Sequence, residues 1–147
     1  MDPEVPVLSV MDLGIVREIK YDVLTAGWEI VITPTYSGCP AMDVITMTIR
    51  MALLENGFKN IVIRQQLSPA WTTDWMSDQG KEKLQAYGIA PPAGKISDTK
   101  NLEDPEVICP LCHSTNTQLI SQFGSTACKA LYQCLDCKEP FDYFKCH

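Results

Sequence analysis

The chain has 147 residues, 46% of them hydrophobic and 20% charged, with a formal net charge of −6. That length suits one ordinary domain or a small domain plus a stapled module, and that apolar content excludes wholesale disorder. The acidic balance argues against general nucleic-acid binding, which needs clustered Lys and Arg against phosphate. No run of about 18 apolar residues is present, so no membrane helix is expected. The N-terminal Met-Asp-Pro-Glu-Val-Pro lacks the basic and apolar regions of a secretory signal, and a cytoplasmic protein is expected. Seven cysteines, an odd number including two C-x-x-C pairs, then suggest metal rather than a disulfide framework.

Residues 1–88 read as one α+β unit. Asp2, Pro3, Glu4 and Pro6 mark an extended or turned entry. Ile15, Ile19, Tyr21 and Val23 fall at even spacings, the chain turns near Ala26-Gly27, and Ile30-Val31-Ile32 leads a second strand ending at Pro34. Together these predict an antiparallel hairpin. Pro40 fits a first helical position, and Ala41, Ile45, Ile49, Ala52 and Leu53 form one apolar helical face. Asn56-Gly57 is a stop signal. Ile61-Val62-Ile63 predicts a third strand ending near Leu67. A second helix is expected from about Met76 to Tyr87, with Thr73 as a candidate N-cap and Gly88 as C-terminal cap. Trp71 and Trp75 read either as anchors of that helix start or as a docking surface.

Residues 89–106, with Pro91-Pro92, Gly94, Ser97-Asp98 and Asp104-Pro105, read as a polar, proline-rich linker. Residues 107–147 read as short strands separated by knuckles and turns. The strands run from Thr117 to Phe123 and from Ala127 to Gln133, with a turn at Gly124. The knuckles are Cys109-Pro110-Leu111-Cys112 and Cys134-Leu135-Asp136-Cys137. Two residues between thiolates let one tight turn present both sulfurs to one ion, and two such turns complete a tetrahedral S4 site. A module of about 40 residues has too little core to fold securely, and metal ligation supplies the difference. Zinc is expected at Cys109, Cys112, Cys134 and Cys137, in a structural role because a closed S4 set has no open position. Rubredoxin-like iron fits the same ligands. Cys128, Cys146, His113 and His147 lie nearby in sequence; Cys128 reads as a buried small hydrophobe.

Cys39, between Gly38 and Pro40 at the inferred helix mouth, has two readings. Free amides and the helix dipole there would stabilise a reactive thiolate, whereas spacing alone favours a buried structural cysteine. Asp43 follows by one helical turn and could act on the thiol. No nucleophile elbow, H-E-x-x-H or Walker loop is present, and two histidines leave little room for histidine catalysis.

Several segments carry a family resemblance. Asp2-Pro3-Glu4-Val5-Pro6, Asp12-Leu13-Gly14 and Thr33-Pro34-Thr35-Tyr36-Ser37-Gly38-Cys39-Pro40 resemble the small α+β domain of SufT-type iron–sulfur assembly factors. Residues Pro69 to Met76, Phe123 to Tyr132 and Glu139 to Cys146 resemble the accessory subunits of the bacterial phenylacetyl-CoA epoxidase. The resemblance implies a small mixed sheet with helices followed by a β-rich zinc ribbon. It implies a non-catalytic maturation factor of phenylacetate degradation. Its partners would be epoxidase components, most of all the iron–sulfur flavin reductase, and it would bind neither nucleic acid nor membrane. Cys39 is implied as a ligand of iron or a transient iron–sulfur cluster, shared with a partner or across a homodimer. Cys109, Cys112, Cys134 and Cys137 match the family's ribbon ligands, and Cys128 falls inside a family motif. A helical segment before Asp2 is also implied, where this chain starts. The rivals are a structural subunit without a cluster, a nucleic-acid-binding ribbon, and a thiol–disulfide enzyme.

Overall fold

The computed structural model describes residues 1–93 and 106–145. The chain divides into two compact units, Met1–Trp71 and Thr72–His147.

The first unit begins with two side-chain-closed turns. Asp2 accepts the backbone N–H groups of Glu4 and Val5, each at 2.8 Å. Asp12 accepts the N–H of Ser9 at 2.9 Å and its hydroxyl at 2.8 Å. These short-range bonds satisfy backbone donors that no strand or helix could pair, and they fold Val5, Leu8 and Leu13 inward, where all three are buried. Strands β1 (Val16–Asp22) and β2 (Gly27–Ile32) form the expected antiparallel hairpin. Helix α1 (Ala41–Glu55) then crosses over, and β3 (Ile61–Gln65) lies parallel to β2, giving the order β1-β2-β3. At Gly27 an added Cβ would lie 2.7 Å from the Asn60 carbonyl oxygen, so this start of the β2–β3 pairing admits no side chain.

Local differences from expectation have physical causes. Pro40 is the N-cap rather than a first helical residue, and it makes no side-chain cap bond. The helix ends at Asn56 as expected, with Gly57 at φ +85°. Ala41, Met42 and Ile45 are the buried residues of α1, while Ala52 is exposed. Ile19 and Tyr21 remain largely exposed on the edge strand β1. Tyr21 packs on Trp28 at 4.9 Å, and Phe58 meets Trp28 edge-on at 5.7 Å.

In the second unit, Thr72 caps a 3-10 turn, Thr73–Trp75, and Ser77 caps α2 (Asp78–Tyr87) by accepting the Gly80 N–H at 2.9 Å. The N-cap of α2 is therefore Ser77, not Thr73, because the extended Met76 and Ser77 separate the 3-10 turn from the helix. Gly88 takes the left-handed conformation expected of it. Ile89–Ala90, at the start of the expected linker, form a short strand β4 parallel to the strand at Pro140–Phe144. Most of that linker lies outside the described residues. Strands β5 (Thr117–Ser121), β6 (Lys129–Cys134) and β7 (Pro140–Phe144) complete a sheet of order β4-β7-β6-β5. Its core gathers Val107, Cys109, Ala130, Tyr132, Cys134, Phe141 and Tyr143. Both units mix strands with a helix, so the chain is α+β.

Candidate metal centre and the Cys39 region

Each knuckle is a tight turn closed in the same way. The His113 N–H returns to the Cys109 carbonyl at 3.0 Å, and the Cys109 N–H donates to Ser114 at 2.9 Å. The Cys134 N–H donates to the Glu139 carbonyl at 3.0 Å, and the Cys137 N–H points at Cys134 Sγ, 3.5 Å away. The residue after each second cysteine, His113 (φ 61°) and Lys138 (φ 66°), is left-handed and reverses the chain. Here His113 serves the turn; it is not part of the sulfur cluster.

β5 and β6 bring the two turns together. Cys109 Sγ lies 3.8 Å from Cys137 Sγ, and Cys112 Sγ lies 3.5 Å from Cys134 Sγ. All four sulfurs lie within 4.8 Å of one another. Four thiolates about 2.3 Å from a tetrahedral ion would stand about 3.8 Å apart, so the set fits zinc. Cys109 and Cys134 are buried and Cys112 is exposed, leaving one side of the set open to solvent.

The thiols of Cys112, Cys134 and Cys137 act on one another. Cys134 is held down at about 7, first by the Cys137 N–H. At Cys137 the Glu139 N–H pulls the other way, but burial and the neighbouring sulfurs prevail and hold it at about 12. Cys112 is also raised: the Ser114 N–H lowers it, but the Cys134 sulfur and burial outweigh that donor. Successive negative charges in one small space oppose each other, and a dication removes that opposition.

A polar clamp ties the knuckles together. Asp136, inside the second knuckle, accepts the Ser114 hydroxyl and the Asn116 amide, the latter at 3.0 Å. The Leu135 N–H donates to the Asn116 carbonyl at 2.8 Å. Ser114 first and Asn116 second hold the Asp136 carboxyl below its usual range. Sequence reasoning missed this clamp, since neither Ser114 nor Asn116 belongs to a ligand motif. Cys128 is separate: it is buried beside Thr126, whose hydroxyl lies 3.1 Å from its sulfur. Cys146 and His147 lie outside the described residues.

Cys39 lies in the other unit, just before α1, and is 9% exposed. Gly38 holds φ +80°, with open space where a Cβ would be, so the position demands glycine for conformation rather than room. The expectation of a stabilised thiolate is corrected here. Burial pushes the Cys39 thiol above its ordinary value; the Ala41 N–H and Tyr36 act the other way, and Glu4 and Asp2 add to the rise. Desolvation is the largest effect and outweighs the one helix-mouth donor that acts on the thiol, the Ala41 N–H. The carboxylates that act on the thiol are Glu4 and Asp2, not the exposed Asp43. Tyr36 links the two segments, its hydroxyl donating to Glu4 at 3.3 Å. Trp71, open in the sequence between anchor and docking surface, is buried and donates to the Leu13 carbonyl at 2.8 Å.

Residues 1–57 match a family model described as an iron–sulfur cluster assembly protein, and residues 93–145 match the PaaD zinc beta ribbon domain. A relative from Escherichia coli (strain K12), described as a putative subunit of 1,2-phenylacetyl-CoA epoxidase, is 56% identical over 145 residues, covering 99% of this chain and 86% of its own. The chain belongs to the PaaD family. A crystal structure of a domain of unknown function, DUF59, from Bacillus anthracis aligns with a TM-score of 0.53 at 27% identity, covering 57% of this chain and 79% of that one. The PaaD ribbon match contains all four clustered cysteines, and the assembly-family match contains Cys39 with Asp2, Glu4 and Tyr36. Among the described residues, no helix is long and apolar enough to cross a membrane.

Proposed function

We propose that this chain is a non-catalytic accessory protein of a phenylacetyl-CoA epoxidase. It works in the cytoplasm and assists assembly or delivery of an iron–sulfur cluster to the reductase component. One observation carries the reading: a buried thiol, Cys39, stands within electrostatic reach of Glu4 and Asp2 in the segment that matches the assembly family. Negative surroundings disfavour a bare thiolate but favour a cation. They keep the thiol protonated until iron arrives, and the arriving positive charge then displaces the proton. The cluster is cargo in this scheme, and the remaining ligands come from a second protein or a second copy of the chain.

Cys109, Cys112, Cys134 and Cys137 would hold zinc, which contributes folding stability to the ribbon and leaves no open coordination position. The ribbon then serves as a docking module. The test is cluster loading of the purified reductase without oxygen, followed by absorbance and reductase activity. Loading should depend on the chain and fail with Cys39→Ala; full loading by Cys39→Ala overturns the scheme.

A second reading is favoured by the burial of Cys39: a docking subunit that stays in the epoxidase complex and carries no cluster. Stable co-purification of Cys39→Ala with normal epoxidase activity supports it.

A further inference from the structure

Helix α1 has two apolar faces. One is turned inward through Ala41, Met42 and Ile45. The other is a stripe of Val44, Met47, Met51 and Leu54, which are 54%, 67%, 48% and 49% exposed. At 3.6 residues per turn, this stripe lies about 150° from the inward face. Its spacings of three, four and three are those of a seam that packs against another helix. A solvent-facing stripe of four large apolar residues is the signature of an interaction site.

The charges beside the stripe select the occupant. Asp43 and Arg50 lie on the same flank of it, seven residues and so about two turns apart. If a second α1 packs antiparallel with Met47 on the two-fold axis, Val44 of one copy meets Met51 of the other. Asp43 then falls beside Arg50 of the other copy, and the two-fold repeats the pair. A parallel pairing would instead place Asp43 against Thr48 of the other copy and turn Arg50 toward its Glu55, so that only the antiparallel pairing gives Asp43 a cation. We infer that α1 is a self-complementary, antiparallel dimer surface, isologous about Met47. One helix pair is small beside the roughly 800 Å² per partner of a standard interface, so the dimer is weak and forms with rising concentration.

This dimer surface stands apart from the assembly-factor reading, but it constrains that reading. Across such a dimer the two Cys39 residues lie at opposite ends of the helix pair, about 24 Å apart along the axis at 1.5 Å per residue. The two copies could not share one cluster there, and the remaining ligands would come from a different protein.

The experiment is sedimentation equilibrium of the full chain over a wide concentration range, paired with a charge swap. Wild type should dimerise reversibly. Met47→Glu, which sets two carboxylates against each other on the axis, should raise the dissociation constant more than about tenfold. Asp43→Arg and Arg50→Asp should each weaken the dimer, and the double swap should restore it. Met47→Cys should cross-link to itself under mild oxidation, as only a residue near the axis does. A chain monomeric at every concentration, a dimer indifferent to Met47→Glu, or a double swap without rescue would each overturn the inference. Circular dichroism of each variant separates loss of the dimer from loss of the fold.

Discussion

Asn116 donates its side-chain amide to Asp136 at 3.0 Å, although 20 positions of sequence separate them. The bond joins the segment after the first knuckle to the interior of the second, so it registers the two pairs of cysteines. Asp136 carries no metal itself, yet it sets where Cys134 and Cys137 stand relative to Cys109 and Cys112. Removing such an outer partner typically costs about 10–100-fold in metal affinity. Asp136→Ala should weaken zinc retention by about tenfold in competition with a chromogenic chelator. Asp136→Asn, which keeps one acceptor for Ser114 or Asn116, should lose less. Equal retention in wild type and Asp136→Ala would show that the metal alone registers the knuckles.

The ribbon core is short and includes two of the proposed ligands, Cys109 and Cys134. Its metal should therefore be worth a large share of its stability. Metal binds the thiolate, so protons compete with it. The Cys134 thiol sits at about 7 and the Cys137 thiol at about 12. Apparent zinc affinity should fall as pH drops, and more steeply below about 7, where Cys134 is also protonated in the metal-free protein. Chelation should also remove the near-ultraviolet dichroism of Tyr132 and Tyr143, whose rings meet at 5.5 Å. A zinc affinity unchanged between pH 8 and pH 6 would count against thiolate ligation.

Trp71 offers a test of the first unit. Its indole N–H reaches the buried Leu13 carbonyl at 2.8 Å, which ties the end of that unit to its N-terminal turn. Trp71→Phe keeps an aromatic ring but leaves the carbonyl without that donor. A buried acceptor deprived of its partner costs about 1–3 kcal/mol. Denaturant unfolding should show a loss in that range, with the zinc content unchanged. A loss below about 0.5 kcal/mol would mean that another donor or water takes over the Leu13 carbonyl.

Much of this architecture was legible in the residues. Alternating apolar positions gave the first hairpin, and the four-residue periodicity from Ala41 gave α1. Gly88 marked the end of α2, and the paired C-x-x-C spacing pointed to the four sulfurs that gather in the ribbon. Other features were hidden because they depend on pairing between distant segments. The two residues of β4 become a strand only because β7 is there to receive them. The Asp136 clamp spans 20 residues and uses side chains common in any loop. At Cys39 the burial expected from spacing holds and the helix-mouth thiolate does not, because the dipole argument omits what lies over the thiol. Desolvation and the acidic N-terminal turn come from chain that is distant in sequence and folded back onto this segment, as the Tyr36–Glu4 bond across 32 positions shows.

Cys39 supplies the last prediction, with the sign set by its neighbours. Burial, then Glu4 and Asp2, push its thiol above the ordinary value of 9.0, while the Ala41 N–H and Tyr36 oppose the shift. Only the thiolate alkylates quickly, so Cys39 should react slowly with iodoacetamide near neutral pH, with a titration midpoint above 9.0. Tyr36→Phe removes an opposing hydrogen bond and should move the midpoint further up. Glu4→Gln removes a neighbouring negative charge and should move it down. Mass-spectrometric peptide mapping of alkylation against pH reads Cys39 apart from the ribbon cysteines, which bound zinc protects. The two variants must move in opposite directions. If both leave the midpoint unchanged, burial alone governs the thiol, and the carboxylates that would draw in a cation have no electrical hold on Cys39.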